Sequence, residues 1–131
     1  MRVVLDSNVL VSALVGHSEP RRLLIRLLDG HVIISSRKML AELEDVLSKR
    51  KFELPKHNID EFMLIIVKGS HITPVTDCPK VILEDADDDV VLATALSGDT
   101  EYIVTGDRHL LKLKKYKGIW VVTVREMLKL L

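Results

Sequence analysis

Val3-Val4-Leu5-Asp6-Ser7-Asn8-Val9-Leu10 opens the chain with an apolar run, an acid, a polar pair and a second apolar run. The first run is short and β-branched, so it reads as a buried strand that ends at Asp6. The same grammar returns near the other end, where Tyr102-Ile103-Val104-Thr105-Gly106-Asp107 is an apolar run that also stops at an acid. Between the two, periods alternate. Pro20 opens a helical pattern with Leu23, Leu24, Leu27 and Leu28 on one face, closed by Asp29-Gly30. Residues 31–35 (HVIIS) read as a second buried strand. Ser36 then caps a helix with Met39, Leu40, Leu43, Val46 and Leu47 at helical spacing. Asn58 with Glu61 outlines a capping box, after which Phe62, Ile65 and Ile66 face inward. Residues 71–83 hold Pro74 and Pro79 and read as an irregular connection with short extended pieces. Residues 90–96 read as a helix stopped by Gly98. Trp120-Val121-Val122 is a last strand, and Thr123 with Glu126 is a capping box for a C-terminal helix.

Strands that alternate with helices imply a parallel sheet covered on both faces. The expectation is therefore a three-layer α/β/α sandwich around a central parallel sheet of four or five strands. A length of 131 residues fits one domain, taken as residues 1–131.

Composition narrows the function. With 47% hydrophobic and 29% charged residues the chain has the make-up of a globular protein rather than a disordered one. Cys78 is the single cysteine, which excludes an internal disulfide and a cysteine-built zinc site. The five histidines match no zinc-binding spacing. No apolar run approaches the ~20 residues that span a bilayer, and Asp6 comes too early for a signal peptide. A soluble cytoplasmic protein with no membrane partner is expected. Lys plus Arg (19) balance Asp plus Glu (19), so no global basic field attracts nucleic acid. The charge is uneven, however. Glu84, Asp85, Asp87, Asp88 and Asp89 form an acidic knot, and Arg108, Lys112, Lys114, Lys115 and Lys117 a basic stretch.

In an open parallel sheet, ligands bind beyond the C-terminal ends of the strands. Asp6 and Asp107 stand at two such ends. Asp88 lies near the start of the 90–96 helix, which points to the same rim. Glu42 falls on the inward side of its helix, away from Glu44 and Asp45. Four converging carboxylates raise one another's pKa or demand a divalent metal, and oxygen-only ligands suit Mg²⁺ or Mn²⁺. Taken singly, each acid has a plainer role. Asp6 and Asp107 serve equally well as turn or cap residues. The acidic knot is the solvated start of a helix, and Glu42 is an i,i+4 partner of Lys38. Helix geometry alone does not separate Asp87, Asp88 and Asp89. The joint arrangement is what points to chemistry.

That arrangement resembles a known family. Asp6-Ser7-Asn8-Val9-Leu10-Val11-Ser12-Ala13 is similar to the opening of a PIN domain, usually D-T-N, with Ser7 retaining the hydroxyl. Ser36-Arg37-Lys38-Met39-Leu40-Ala41-Glu42-Leu43 resembles the helix with the second acid. Residues 85–96 resemble the third motif, in which Ala93 and Ala95 select Asp88. Val104-Thr105-Gly106-Asp107-Arg108-His109-Leu110-Leu111 resembles the fourth, T-x-D-x-x-L. The similarity runs from residue 3 to about residue 125 and is closest to VapC-like toxin components of toxin–antitoxin pairs. It implies a metal-dependent nuclease acting on single-stranded RNA. It implies that Asp6, Glu42, Asp88 and Asp107 hold one or two Mg²⁺ or Mn²⁺ ions, with Asn8 and Thr105 in support. It further implies a homodimer or higher homo-oligomer and an antitoxin protein as partner. Arg108, Lys112, Lys114 and Lys115, with Arg37 and Lys38, would grip phosphates, although single lysines serve as well on a solvated face.

Two other readings compete. One is a catalytically weak binding module on the same fold, contacting RNA or an antitoxin; the presence of all four acids argues against it. The other is a phosphotransfer enzyme of the haloacid dehalogenase type. That class needs a second Asp two residues after the nucleophile, where this chain has Asn8. Nucleotide-binding glycine motifs are absent.

Overall fold

The computed structural model describes residues 1–75 and 86–131. Strand β1 (Arg2–Leu5) leads into helices α1 (Ser7–Val15) and α2 (Ser18–Leu28). Strand β2 (Val32–Ser35) is followed by α3 (Arg37–Leu47), a 3-10 turn (Arg50–Phe52), α4 (Lys56–Gly69) and β3 (Ser70–Ile72). Then come α5 (Ala86–Ser97), β4 (Tyr102–Val104), α6 (Arg108–Leu111), β5 (Lys115–Tyr116), β6 (Ile119–Val122) and α7 (Val124–Leu130).

The strands form one sheet in the order β3-β2-β1-β4-β6-β5, parallel except where β5 runs antiparallel to β6. The expected layered α/β architecture is present, but the sheet has six strands where four or five were expected. The reason is physical. β3 and β5 are three and two residues long and half-exposed, so neither leaves an apolar run to read.

Side chains alternate between two cores, as the pleat requires. Val3 and Leu5 enter one with Ile33, Val104 and Val122, beneath Leu23, Leu27, Leu43, Phe62 and Met127. Val4 enters the other with Ile34, Ile103 and Val121, beneath Val91, Leu92 and Ala95 of α5 and Leu110 of α6. Burial on both faces explains why β1, β4 and β6 are nearly all apolar.

Local differences from the sequence expectation have local causes. Pro55, at φ −61°, stands at the N-cap of α4 with no side-chain cap, so Asn58 lies inside the helix and its capping box does not form. Ile59, Phe62 and Ile66 form the buried stripe of α4, while Ile65 is 51% exposed. The box of Thr123 and Glu126 forms with both reciprocal bonds. The hairpin between β5 and β6 turns on Lys117 and Gly118, both at positive φ (46° and 85°). That two-residue turn matches the twist of the strands, at a strain of about 1 kcal/mol for the lysine.

Two features aim the fold at one rim. From β1 the sheet grows outward through β2 and β3, then returns to set β4 on the other side of β1. The order therefore reverses between β1 and β4, where a crevice opens in such sheets. Arg2, at the start of β1, donates to the Gly98 carbonyl (3.1 and 2.6 Å) and the Asp99 carbonyl (3.0 Å). It thereby caps the C-terminal end of α5 with a cation. With that end tied to the start of β1, the acidic start of α5 lies toward the end of β1.

Candidate active site

Asp6 follows β1 directly and is buried, at 8% exposure. Its backbone N–H donates to the Val104 carbonyl at 3.0 Å, which extends the β1–β4 pairing by one residue into the crevice. Its carboxylate caps α1. Oδ1 accepts from the Ser7 N–H at 2.8 Å, and Oδ2 accepts from Asn8 Nδ2 at 3.1 Å and from Thr105 Oγ1 at 2.7 Å. Three donors and the positive end of a helix hold the carboxylate in one orientation.

Thr105 is fully buried. Its hydroxyl donates to Asp6 and accepts from the Asp107 N–H at 3.0 Å. Asn8 Oδ1 accepts from the Gly106 N–H at 3.3 Å. Asp107 caps α6 through Oδ1, which accepts from the His109 N–H at 2.7 Å. Asp6, Asn8, Thr105 and Asp107, four residues selected from sequence, thus form one connected network. The single proton of Thr105 is used on Asp6, so Thr105 positions that carboxylate and has no proton to give a substrate.

The other two selected acids ride on helices. Glu42 is half-buried in α3 between the buried Met39 and Leu43, with Glu44 and Asp45 exposed, as its inward placement required. Met39 joins the core under α5 and Leu43 the opposite core, so this stretch of α3 spans both. A buried hydroxyl relay holds α3 there. Thr94 donates to the Val90 carbonyl at 2.8 Å, so the 2.9 Å contact with Ser36 has Ser36 as its donor. Ser36 in turn accepts from the Met39 N–H. Sequence reasoning gave Ser36 a capping role only and passed over Thr94. A hydroxyl inside the otherwise apolar run of α5 was the available signal.

The side chain of Asp88 lies outside the described residues, as do Cys78 and Asp85. Asp89, its neighbour, is buried at 7% exposure. Among the described residues, no three His, Cys, Asp or Glu side chains form a metal-holding group. The donors at the crevice are carboxylate, amide and hydroxyl oxygens, a set whose chemistry fits a hard divalent cation.

Basic side chains flank the crevice on two sides. Arg37 and Lys38 are exposed at the start of α3, beside a hollow of about 540 Å³ also lined by Ser36 and Thr73. Arg108 and Lys112 are exposed at the two ends of α6. Lys115 is engaged elsewhere, its ammonium 4.5 Å from the ring centroid of Trp120, which is 47% exposed rather than core.

Behind Asn8, Thr105 and Gly106 lies a cavity of about 560 Å³. Val9, Pro20, Leu111 and Val124, from α1, α2, α6 and α7, line it together with Ser12, Thr123, Glu19 and Arg125. At its rim Arg125 Nη2 meets Glu19 Oε1 at 3.1 Å. The Arg125 guanidinium, by hydrogen bond and charge, holds the Glu19 carboxyl below its usual range, and Glu19 raises Arg125 in return. The two residues lie 106 positions apart, and no local pattern joins them.

An α/β domain with carboxylates at the reversal of its sheet order is the class that fold and site define. A profile of the PIN domain family matches residues 2–109, and the chain belongs to that family. The matched range encloses Asp6, Glu42, Asp88 and Asp107. The fold is similar to a chain in the crystal structure of VapBC2 from Rickettsia felis bound to a DNA fragment from their promoter. Identity is 20%, the TM-score is 0.67, and the alignment covers 94% of this chain and 98% of that one. No curated protein matches the sequence. No helix among the described residues is long and apolar enough to cross a membrane.

Proposed function

We propose that the protein is a metal-dependent endoribonuclease that hydrolyses single-stranded RNA and serves in the cytoplasm as the toxin of a toxin–antitoxin pair. The observation that carries this reading is the hydrogen-bonded network of Asp6, Asn8, Thr105 and Asp107 at the reversal between β1 and β4. Membership of the PIN domain family and the likeness to a VapBC2 structure support it. An antitoxin partner and a homo-oligomer belong to the same proposal.

Asp6, Glu42, Asp88 and Asp107 would hold Mg²⁺ or Mn²⁺, with Asp87 or Asp89 as the neighbouring alternatives to Asp88. The bound ion supplies activation of water and neutralisation of phosphate charge. The protein's part is orientation. Three donors lock the Asp6 carboxylate in one orientation before any ligand arrives. Asn8 ties the loop after β4 to Asp6, which keeps Asp107 in reach. Arg108 and Lys112 on one side, and Arg37 and Lys38 on the other, draw the phosphates of a strand across the crevice.

Cleavage of a fluorophore-quencher single-stranded RNA tests this, with Mn²⁺, Mg²⁺ or chelator, for wild type, Asp6→Asn and Asp88→Asn. The expected result is cleavage that needs metal and is lost in both variants. Equal signal from wild type and Asp6→Asn, or no metal binding by calorimetry, would overturn it.

A further inference from the structure

We propose that the 560 Å³ cavity behind Asn8 and Thr105 binds a guanine base, recognised by Glu19 and Arg125. Its place in catalysis rests on the nuclease function above; the binding itself does not. The volume lies within the range of about 300–1,000 Å³ usual for small-ligand sites. Asn8, Thr105 and Gly106 line the cavity and also belong to the carboxylate network. A strand with one phosphate at Asp6 therefore has a neighbouring base at the mouth of this cavity.

The lining fits a flat aromatic ring with one polar edge. Val9, Pro20, Leu111 and Val124 provide an apolar bed. Ser12, Thr123, Asn8 and Thr105 add neutral polar groups, and Glu19 and Arg125 set a carboxylate beside a guanidinium, with side-chain exposures of 40% and 74%. Guanine has two adjacent donors, N1–H and the N2 amino group, and next to them the O6 and N7 acceptors. A carboxylate pairs with the first two and a guanidinium with the second two. Adenine, cytosine and uracil each turn an acceptor toward the carboxylate in that pose. Glu19 and Arg125 are joined through one oxygen and one nitrogen, an exposed pair that rearranges at little cost.

Titration of 5′-GMP, AMP, CMP and UMP into ¹⁵N-labelled protein, in chelator, tests the site. GMP is expected to shift the amides of Ser12, Val124 and Arg125 saturably, with a dissociation constant at least about tenfold below the other three. Glu19→Gln should remove about a tenfold preference, the worth of a hydrogen bond to a charged group. Shifts that map elsewhere, equal affinity for the four nucleotides, or GMP binding unchanged in Glu19→Gln would overturn the proposal. So would an apolar peptide that shifts these amides when no nucleotide does, since the cavity would then belong to a protein partner. No cleavage enters the measurement. A protein that binds GMP but cuts no RNA keeps this site and loses the nuclease, and one that cuts RNA without GMP preference does the reverse.

Discussion

The strand-end acids and the helix-borne acids reach one rim by different means. Asp6 sits where β1 has just left the sheet, and its place is set by backbone pairing with β4 and by three short-range donors. Glu42 sits in the second turn of α3, and its place depends on how that helix packs on its neighbours and on the Ser36–Thr94 relay. The first kind of position is built into the sheet. The second is a packing result that a small helix shift can alter. Carboxylates of the first kind are thus structural elements as well as candidate ligands.

Alanine substitution breaks or sharpens this contrast most directly. Asp6→Ala and Glu42→Ala should each reduce RNA cleavage beyond the roughly 10–100-fold typical of outer-shell partners. Only Asp6→Ala should also destabilise strongly, by about 2–4 kcal/mol in urea unfolding, because buried donors at Thr105 and Ser7 lose their acceptor. Equal destabilisation by the two would erase the distinction. Thr105→Val, which keeps the shape, should lower cleavage about 10–100-fold and stability by about 1–3 kcal/mol. Thr94→Val should cost about 1 kcal/mol and slow cleavage less than Thr105→Val does, since it disturbs α3 and leaves the Asp6 cage intact. Lys117→Asn lies far from both kinds of acid. It should raise stability by about 0.5–1 kcal/mol, seen as a rise of a few degrees in Tm with cleavage unchanged, because Asn accepts the positive φ of that turn.

The same division governs what could be read before the structure. Asp6 and Asp107 were legible because an apolar run that stops at an acid carries its own coordinates: strand end, rim, crevice. Thr105 and Asn8 came from the resemblance of their motifs to the PIN domain. Glu42 was placed on its inward face by helical period, and its half-burial agrees. The choice among Asp87, Asp88 and Asp89 turns on a fraction of a helical turn, which sequence period does not resolve. Long-range partnerships were invisible. Ser36 with Thr94, and Glu19 with Arg125, are joined only by the way the layers close. Strands β3 and β5 escaped notice for the opposite reason, being too short and too exposed to leave a period. Ile65 was misplaced because the buried stripe of α4 runs through Ile59, Phe62 and Ile66 and leaves it 51% exposed.

Those two short strands have a further consequence. They are the outer members of the sheet, so every longer strand has a neighbour on both sides. A second chain that approached either border would find two or three residues of backbone to pair with, and at one border a lysine from β5 and another from the turn beyond it. Short borders that carry charge resist the strand addition that leads to aggregation. The sheet is apolar on both faces, yet its edges offer little backbone to a further strand, which bears on how concentrated the protein can become before it associates.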